Sequence, residues 1–190
     1  GAFSGNRNLN VLDASVSQLE KIGNSAFAYC ANLTTVKLGD NAVAIDDRAF
    51  TEAVNLKNID LSKCPSIGEF AFYNTALTAV TVGDGATVGY RAFSVGKSTV
   101  LNATYTSKLI NLYLGKNVKI GDYAFANTAV ATVEMPAEGG VVIGQYAFFN
   151  SSSLVRIDLT KAAELSAYSF AMCSKLASVD LGNIAVIPEG

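Results

Sequence analysis

The sequence predicts a solenoid of stacked coils, strand-dominated within the α/β class, with one short strand plus a turn or short helix in each coil of roughly 23 residues. Three observations predict it. A Phe that follows a small residue recurs along the chain, an aliphatic residue stands five positions before each such Phe after the first, and an aliphatic triplet follows. Because no coil of this size buries its apolar edge alone, we expect neighbouring coils to stack on one another.

The recurring Phe sets the length of each coil. Eight of the ten phenylalanines follow Ala or Ser, and their residue numbers are separated by 24, 23, 22, 21, 32, 23 and 22. We expect their rings to form one column at about the strand spacing of 4.7–5 Å. Residues 1–190 then form a single repeat domain, whose units are centred on Phe3, Phe27, Phe50, Phe72, Phe93, Phe125, Phe148 and Phe170.

The aliphatic positions predict the strands. The spacing L-x-x-V/I-x-L, as in Leu33, Val36 and Leu38, ends in an i, i+2 pair, which is the period of a strand with one buried face. The residue between the last two aliphatic positions then points outward. This predicts an exposed column of Lys37, Asp60, Thr81, Tyr113, Glu134, Asp158 and Asp180.

One unit is longer than the others and contains the letters GKST at positions 96–99. A phosphate-binding lysine loop needs a Gly five positions before the Gly-Lys pair, where this chain has Arg91, and a helix after it. We therefore expect residues 94–108 to loop out and the strand register to resume at Leu109. The insertion is either a tolerated decoration or a binding feature that carries Lys97, Tyr105 and Lys108.

Composition excludes several function classes. The net charge of −2 comes from 14 basic and 16 acidic residues without a basic cluster, so we expect no nucleic-acid partner. No apolar run has the length of a membrane span. The chain has no His, which removes Ser-His-Asp and Cys-His catalysis and the commonest metal ligand. We expect no enzyme and no cofactor. Of three cysteines, we expect Cys30 and Cys173 to be buried thiols and Cys64, beside Pro65 in a turn, to be more exposed.

The run IGNSAFAYCANLTTVKL at 22–38 resembles the BspA-type bacterial leucine-rich repeat, whose units read I-G-x-x-A-F-x-x-C-x-x-L-x-x-V-x-L. The resemblance extends over nearly the whole chain. It implies a leucine-rich repeat solenoid that forms a right-handed curved superhelix. It also implies an extracellular or cell-surface location and adhesion to a host or bacterial protein or glycan.

A solenoid of this kind offers its concave sheet as a continuous binding surface. The candidate ligand-binding residues are therefore the outward column, with Tyr113 as a possible anchor, together with Lys97, Tyr105 and Lys108 of the insertion. Two alternatives stay open: the column is simply a solvated polar face, and the domain is a structural spacer or stalk without a ligand. A second aromatic series, Phe70, Tyr123, Tyr146 and Tyr168, is interpreted as packing rather than as a sugar platform.

The two ends of the sequence lack polar capping units. The chain opens at Phe3 without its preceding aliphatic residue and stops at 187–190, where another unit begins. We expect a piece of a longer protein. Uncapped coils also permit self-association end to end, since an uncovered strand edge recruits partners.

Overall fold

The computed structural model describes residues 1–98 and 102–189, in which short strands alternate with turns and no helix occurs. Most coils contribute one strand to each of two parallel ladders. The strands in these ranges are β1 (Val11–Asp13), β2 (Lys21–Ile22), β3 (Thr35–Lys37), β4 (Ala44–Ile45), β5 (Ser66–Ile67), β6 (Ala79–Val82), β7 (Thr87–Val88), β8 (Lys97–Ser98), β9 (Ala103–Thr104), β10 (Asn111–Leu114), β11 (Lys119–Ile120), β12 (Thr132–Glu134), β13 (Val141–Ile143), β14 (Arg156–Asp158), β15 (Ala162–Leu165) and β16 (Ser178–Asp180).

The first ladder, named here the strand face, consists of β1 and the strands predicted from the aliphatic triplets. Strands β6, β10 and β12 form its central sheet, while β1–β3 and β14–β16 form parallel pairs and Thr35 bridges to Asn58. The second ladder is one seven-stranded sheet in the order β15-β13-β11-β7-β5-β4-β2. It carries the aliphatic residues that precede each Phe by five positions. The predicted strand-dominated solenoid is therefore confirmed, although most coils have two short strands where the sequence predicted one.

The Phe residues form the predicted column. All eight rings stack in sequence order, with ring centroids 5.1–5.5 Å apart and interplanar angles of 2–12°. These separations lie in the favourable range for offset aromatic pairs. Phe50, Phe72, Phe125 and Phe148 are fully buried, whereas Phe3 at one end is 52% exposed. The column is therefore the continuous core that each coil shares with the next.

The segment that carries each Phe is a tight turn rather than a short helix. Its N–H groups alternate between two acceptors: Phe50 donates across to Ala71 O of the next coil at 2.8 Å, whereas Thr51 donates back to Arg48 O at 3.1 Å. An α-helix would need every N–H for its own i−4 carbonyl. The residues two before and two after the Phe also adopt positive φ, as in Arg48 (55°) and Glu52 (58°), which ends any helix.

The small residue before each Phe has a packing reason. Ala49, Ala71, Ala92, Ala124 and Ala147 are all fully buried in the turn. Their carbonyls accept the N–H of the ladder Phe in the preceding coil at 2.7–2.8 Å. Because the coils approach closely enough for these bonds, a larger side chain at this position would separate them.

The insertion leaves the stacking undisturbed, as predicted. Phe93 stacks on Phe125 at 5.1 Å across the longer unit, and β10 pairs with β6 in register, with Leu112 opposite Val80 and Tyr113 opposite Thr81. Within the insertion, β8 and β9 pair antiparallel as a hairpin. Lys97 of the GKST letters lies in β8 and not at the start of a helix. Thr99, Val100 and Leu101 lie outside the described residues.

The buried face of each coil is filled by the aliphatic triplets and by the three cysteines. Leu33, Leu56, Leu112 and Leu154 are fully buried. Cys30 and Cys173 are buried as expected, and their thiols donate to the Phe3 and Phe148 carbonyls. The expectation that Cys64 is exposed is wrong: it is 3% exposed, and burial raises the pKa of its thiol to about 12. Pro65 marks the turn correctly, but the preceding side chain faces the core.

Replacing Phe72 with Ala is expected to lower the free energy of unfolding by about 3–5 kcal/mol, because a fully buried ring leaves a cavity. Phe72 also loses stacking on Phe50 and Phe93, at 5.3 and 5.1 Å. The matched control is Phe3→Ala, which removes an end ring with one stacking partner and should cost no more than about 1.5 kcal/mol. Urea denaturation followed by circular dichroism measures both losses, and equal losses would contradict a continuous stacked core.

Candidate functional site

The strand face presents the predicted column of outward side chains. Parallel pairing places Tyr113 opposite Thr81 on one side and Glu134 on the other, and Asp158 opposite Asp180. The seven predicted members are all exposed: Lys37, Asp60, Thr81, Tyr113, Glu134, Asp158 and Asp180. The outward direction of this column is therefore confirmed.

The column has an eighth member that the sequence pattern missed. Asp13 of β1 lies opposite Lys37 of β3, and their side chains form an ion pair at 3.2 Å. The first unit ends its strand in Ala14 instead of a larger aliphatic residue, so it does not match the triplet spacing. A weaker signal was available, because Leu9 and Leu12 have the spacing of the first two triplet positions.

Four of the acidic members of the column have a structural role at the ends of their strands. The Oδ1 atoms of Asp13, Asp60, Asp158 and Asp180 each accept the backbone N–H two residues later, at 2.9–3.2 Å. This is an Asx turn, in which the side chain takes the place of a backbone acceptor. One oxygen of each of these carboxylates is thus bonded to the chain where it leaves the strand face.

The same hydrogen bonds change the acidity of these groups. The Ser15 hydroxyl and backbone N–H, followed by the Lys37 ammonium, lower the pKa of Asp13 to about 2. The pKa of Asp60 is lowered chiefly by the Ser62 hydroxyl, and that of Asp158 chiefly by the Thr160 hydroxyl. All three therefore stay ionised at neutral pH.

Tyr113 is the aromatic member of the column and has an open cleft beside it. The ring is 37% exposed. The cleft has a volume of about 490 Å³, and its walls include Lys63, Thr81, Asp84 and Tyr113. Gly83 and Ser62 of neighbouring coils also line the cleft. These coils are in close contact there, since a Cβ at Gly83 would lie 2.1 Å from the Ser62 carbonyl oxygen. Tyr is one of the residues enriched among interface hot spots.

Two of the three candidate residues of the insertion, Lys97 and Tyr105, do not join this surface. Lys97 borders a cavity on the turn side, with Glu52 and Tyr73. The hairpin is tied there by the Gly96 N–H, which donates to Asn74 Oδ1 at 2.8 Å. Tyr105 belongs to the same region, because burial and then the charge of Glu52 raise its pKa. Lys108 is exposed at the return towards Leu109. Lys97 and Tyr105 therefore lie on a different side of the coils from the outward column.

Three members of the second aromatic series are packed ring on ring, whereas Phe70 makes edge contacts with Tyr73 and Tyr90. Tyr146 stacks between Tyr123 and Tyr168, at 4.7 and 4.8 Å, with interplanar angles of 11° and 2°. The Arg91 guanidinium covers the other side of this row, 4.9 Å from the Tyr123 ring centroid. Because the ring faces cover one another, the row presents edges rather than a flat platform to solvent. This agrees with the packing interpretation.

The described residues contain no group of three or more His, Cys, Asp or Glu side chains placed to hold a metal ion. Nor does that part of the chain include a helix long and apolar enough to span a membrane.

The comparisons with known proteins assign the chain to a family of repeats. A model of the BspA type leucine rich repeat region matches residues 1–100 and 98–190, in six copies. A crystal structure of a leucine-rich repeat protein from Bacteroides ovatus shares 20% sequence identity, with a TM-score of 0.45, over 99% of this chain. This chain spans 65% of that protein's length, which is less than two thirds. The comparison with curated proteins gave no match.

The ion pair and Asx turn of Asp13 predict a measurable acidity. Carbon NMR titration of its carboxyl should give a pKa of about 2. Ser15→Ala and Lys37→Ala should each raise this pKa, and Ser15→Ala should raise it more, since the Ser15 hydroxyl makes the largest contribution. The folded pKa lies below the unfolded value of about 3.9. The interaction therefore stabilises the fold above about pH 4 and is lost as pH falls through about 2. A pKa unchanged in both variants would contradict this geometry.

Proposed function

The chain belongs to the BspA-type leucine-rich repeat family, and from this we propose that it is a non-enzymatic module that binds a protein or glycan ligand along its strand face. Repeat proteins of this kind recognise ligands over an extended, rigid surface rather than in a deep pocket. The proposal includes adhesion as the role and an extracellular or cell-surface location, and membership of the family is its support.

The observation that carries the proposal is Tyr113 at the centre of the register-aligned column. Its two strand neighbours, Thr81 and Glu134, are polar and exposed, and the cleft lies beside it. A partly exposed Tyr contributes large contact area with little loss of side-chain freedom, which is why Tyr is enriched among binding hot spots. Thr81 and Glu134 supply hydrogen-bonding groups on either side without an Asx-turn role of their own.

The rest of the column contributes differently. Lys37 is paired with Asp13, and the four aspartates hold strand ends. Ligand contacts to these groups would compete with bonds inside the chain, so each contributes little affinity on its own. The centre of recognition in this proposal is therefore the segment from Thr81 to Glu134, and the flanking acidic positions shape the surface around it.

A second function, that of a structural spacer, is favoured by the outward side chains that form bonds within the chain. If most of the outward polar residues serve the fold, the strand face needs no ligand to explain its composition. The rigid Phe column also suits a stalk, because it joins every coil to the next. The two functions differ in one respect that an experiment separates: a spacer gains nothing from Tyr113.

The test compares the wild-type chain with Tyr113→Ala and Tyr90→Ala on arrays of glycans and of immobilised serum and matrix proteins. Tyr90 is the matched control, since it is also 37% exposed but lies in the turn after β7. Tyr113→Ala should weaken binding to a positive probe by about 10–30-fold. Tyr90→Ala should leave it unchanged, and circular dichroism verifies that both variants fold. Binding that Tyr113→Ala does not alter, or no binding by the wild type, would favour the spacer.

A further inference from the structure

Three consecutive coils carry Tyr at the same position of the turn. Tyr123, Tyr146 and Tyr168 each stand two residues before a Phe of the stacked column. The repeat does not require Tyr at this position, since other coils have Ser25, Arg48, Phe70 and Arg91 there. The run of three phenols is therefore a feature of this part of the chain and not a requirement of the fold.

The backbone holds these three side chains in one register. All three residues adopt positive φ, of 56°, 53° and 58°, so their side chains leave equivalent turns in the same direction. Neighbouring turns are bonded directly, because the Tyr123 N–H donates to Gln145 O at 2.9 Å and the Tyr146 N–H donates to Ala167 O at 3.3 Å. The stacking of the coils therefore sets the distance between one phenol ring and the next.

The three rings lie parallel and in contact. The Tyr146 ring centroid is 4.7 Å from that of Tyr123 and 4.8 Å from that of Tyr168, with interplanar angles of 11° and 2°. Burial, followed by the neighbouring phenols of Tyr123 and Tyr168, raises the pKa of Tyr146, as expected for hydroxyl groups that lie close together. Tyr90, by contrast, meets Tyr123 edge-on, at 5.8 Å and 73°. Because the stacked rings are parallel and leave equivalent positions, each ring carbon lies near its counterpart in the neighbouring phenol.

The row of phenols is accessible to a reagent in solution. Tyr123 and Tyr146 are half-buried and Tyr168 is exposed. The Arg91 guanidinium covers the outer face of Tyr123 at 4.9 Å, and Phe149 packs against one edge of Tyr146. The hydroxyls and the remaining ring edges therefore meet the solvent. An oxidant can take an electron from one of these phenols, and the stacked partner of the resulting radical is another tyrosine.

We propose that Tyr123, Tyr146 and Tyr168 form an oxidative cross-linking site, at which a haem peroxidase with hydrogen peroxide joins two neighbouring phenols as dityrosine. Each phenol gives up one electron and its hydroxyl proton, and the two tyrosyl radicals form one carbon–carbon bond between the ring carbons ortho to their oxygens. Each of these carbons then passes its hydrogen, as a proton, to the oxygen of its own ring, which restores the phenol. In the balance, the two rings lose one hydrogen atom each and hydrogen peroxide is reduced to two molecules of water.

The alignment of the rings favours this internal product. Coupling of two radicals otherwise needs an encounter between two molecules, and holding both reactants in one molecule converts it into an effectively unimolecular step. A link from Tyr146 to Tyr123 or to Tyr168 fastens one coil to the next and restricts the unfolded chain, as a disulfide does. The site lies on the turn side of the coils and is independent of the binding proposed for the strand face.

The experiment oxidises the full chain, at low micromolar concentration, with a haem peroxidase and hydrogen peroxide. Dityrosine fluorescence measures the product, and denaturing gel electrophoresis separates internally linked monomers from linked dimers. Digestion after Lys, Arg and Glu isolates Tyr123 in residues 120–134, Tyr146 in 139–156 and Tyr168 in 165–175. We expect mass spectrometry of the monomer to find 139–156 joined to one of the other two peptides, at the summed mass less two hydrogen atoms.

The decisive variant is Tyr146→Phe, which removes the phenol that both stacked pairs share but keeps the ring and its packing. It leaves Tyr123 and Tyr168 two coils apart and should lower the yield of internal dityrosine at least about fivefold. The matched control Tyr90→Phe removes a phenol that meets Tyr123 edge-on, and it should leave the yield unchanged. Circular dichroism verifies that both variants fold.

Oxidation of the wild-type chain in concentrated urea tests the role of the fold. The rings are no longer aligned there, so links should scatter among the eight tyrosines of the chain. Absence of internal dityrosine in the folded chain, a yield that Tyr146→Phe does not lower, or a predominance of linked dimers would overturn the proposal. The same peptide pair at the same yield in urea would also contradict it.

Discussion

Contact between one coil and the next at the Phe turn is the interaction on which the rest of the structure depends. Two kinds of bond act at the same place: the Phe rings stack at 5.1–5.5 Å, and the backbone N–H groups of the turn donate across to the following coil. Neither would suffice alone, because an isolated coil buries too little apolar surface to offset the entropy of ordering it. Together they set the distance between neighbouring coils, which is also the distance between neighbouring strands in both ladders.

This constraint explains which irregularities the solenoid tolerates. The insertion at 94–108 enters after Phe93 and returns before β10, so it leaves the ring stack and the ladder pairing intact. Long surface insertions add little entropic cost once their ends are fixed by the surrounding fold. A change inside the turn is different, because the turn residues are bonded to both neighbouring coils. Glu52 is such a change, and the chain accommodates it with one bond from Asn74.

The sequence predicted the features that residue spacing determines. It did not predict hydrogen bonds between a side chain and the neighbouring backbone. The Phe column, the triplet strands and the outward column followed from residue spacing, since spacing determines which side chains face the core. The Asx turns of Asp60 and Asp158 could not be predicted from residue spacing, because the sequence letter is the same for an aspartate that binds a ligand and for one that bonds to the backbone at the end of its strand. The prediction that Cys64 is exposed was wrong because Pro65 indicates a turn but does not indicate which side chains of that turn face the core. The position of Lys97 near Glu52 depends on the conformation of the insertion, and the repeat spacing gives no information about that conformation.

These outcomes bear on how binding residues are recognised in a repeat protein. On the strand face, the position held by Asp60, Asp158 and Asp180 repeats in several coils, and in each the carboxylate satisfies a local hydrogen-bonding need. Repetition there argues for the fold rather than for a ligand. Glu52 is the opposite case, because no other coil has a carboxylate at this position, and it is buried and leaves one oxygen without a donor among the described residues. A local rule broken without a compensating bond inside the chain is expected at a functional or strained site. By the same reasoning Tyr113, the aromatic exception in a polar column, carries more information about function than its more regular neighbours.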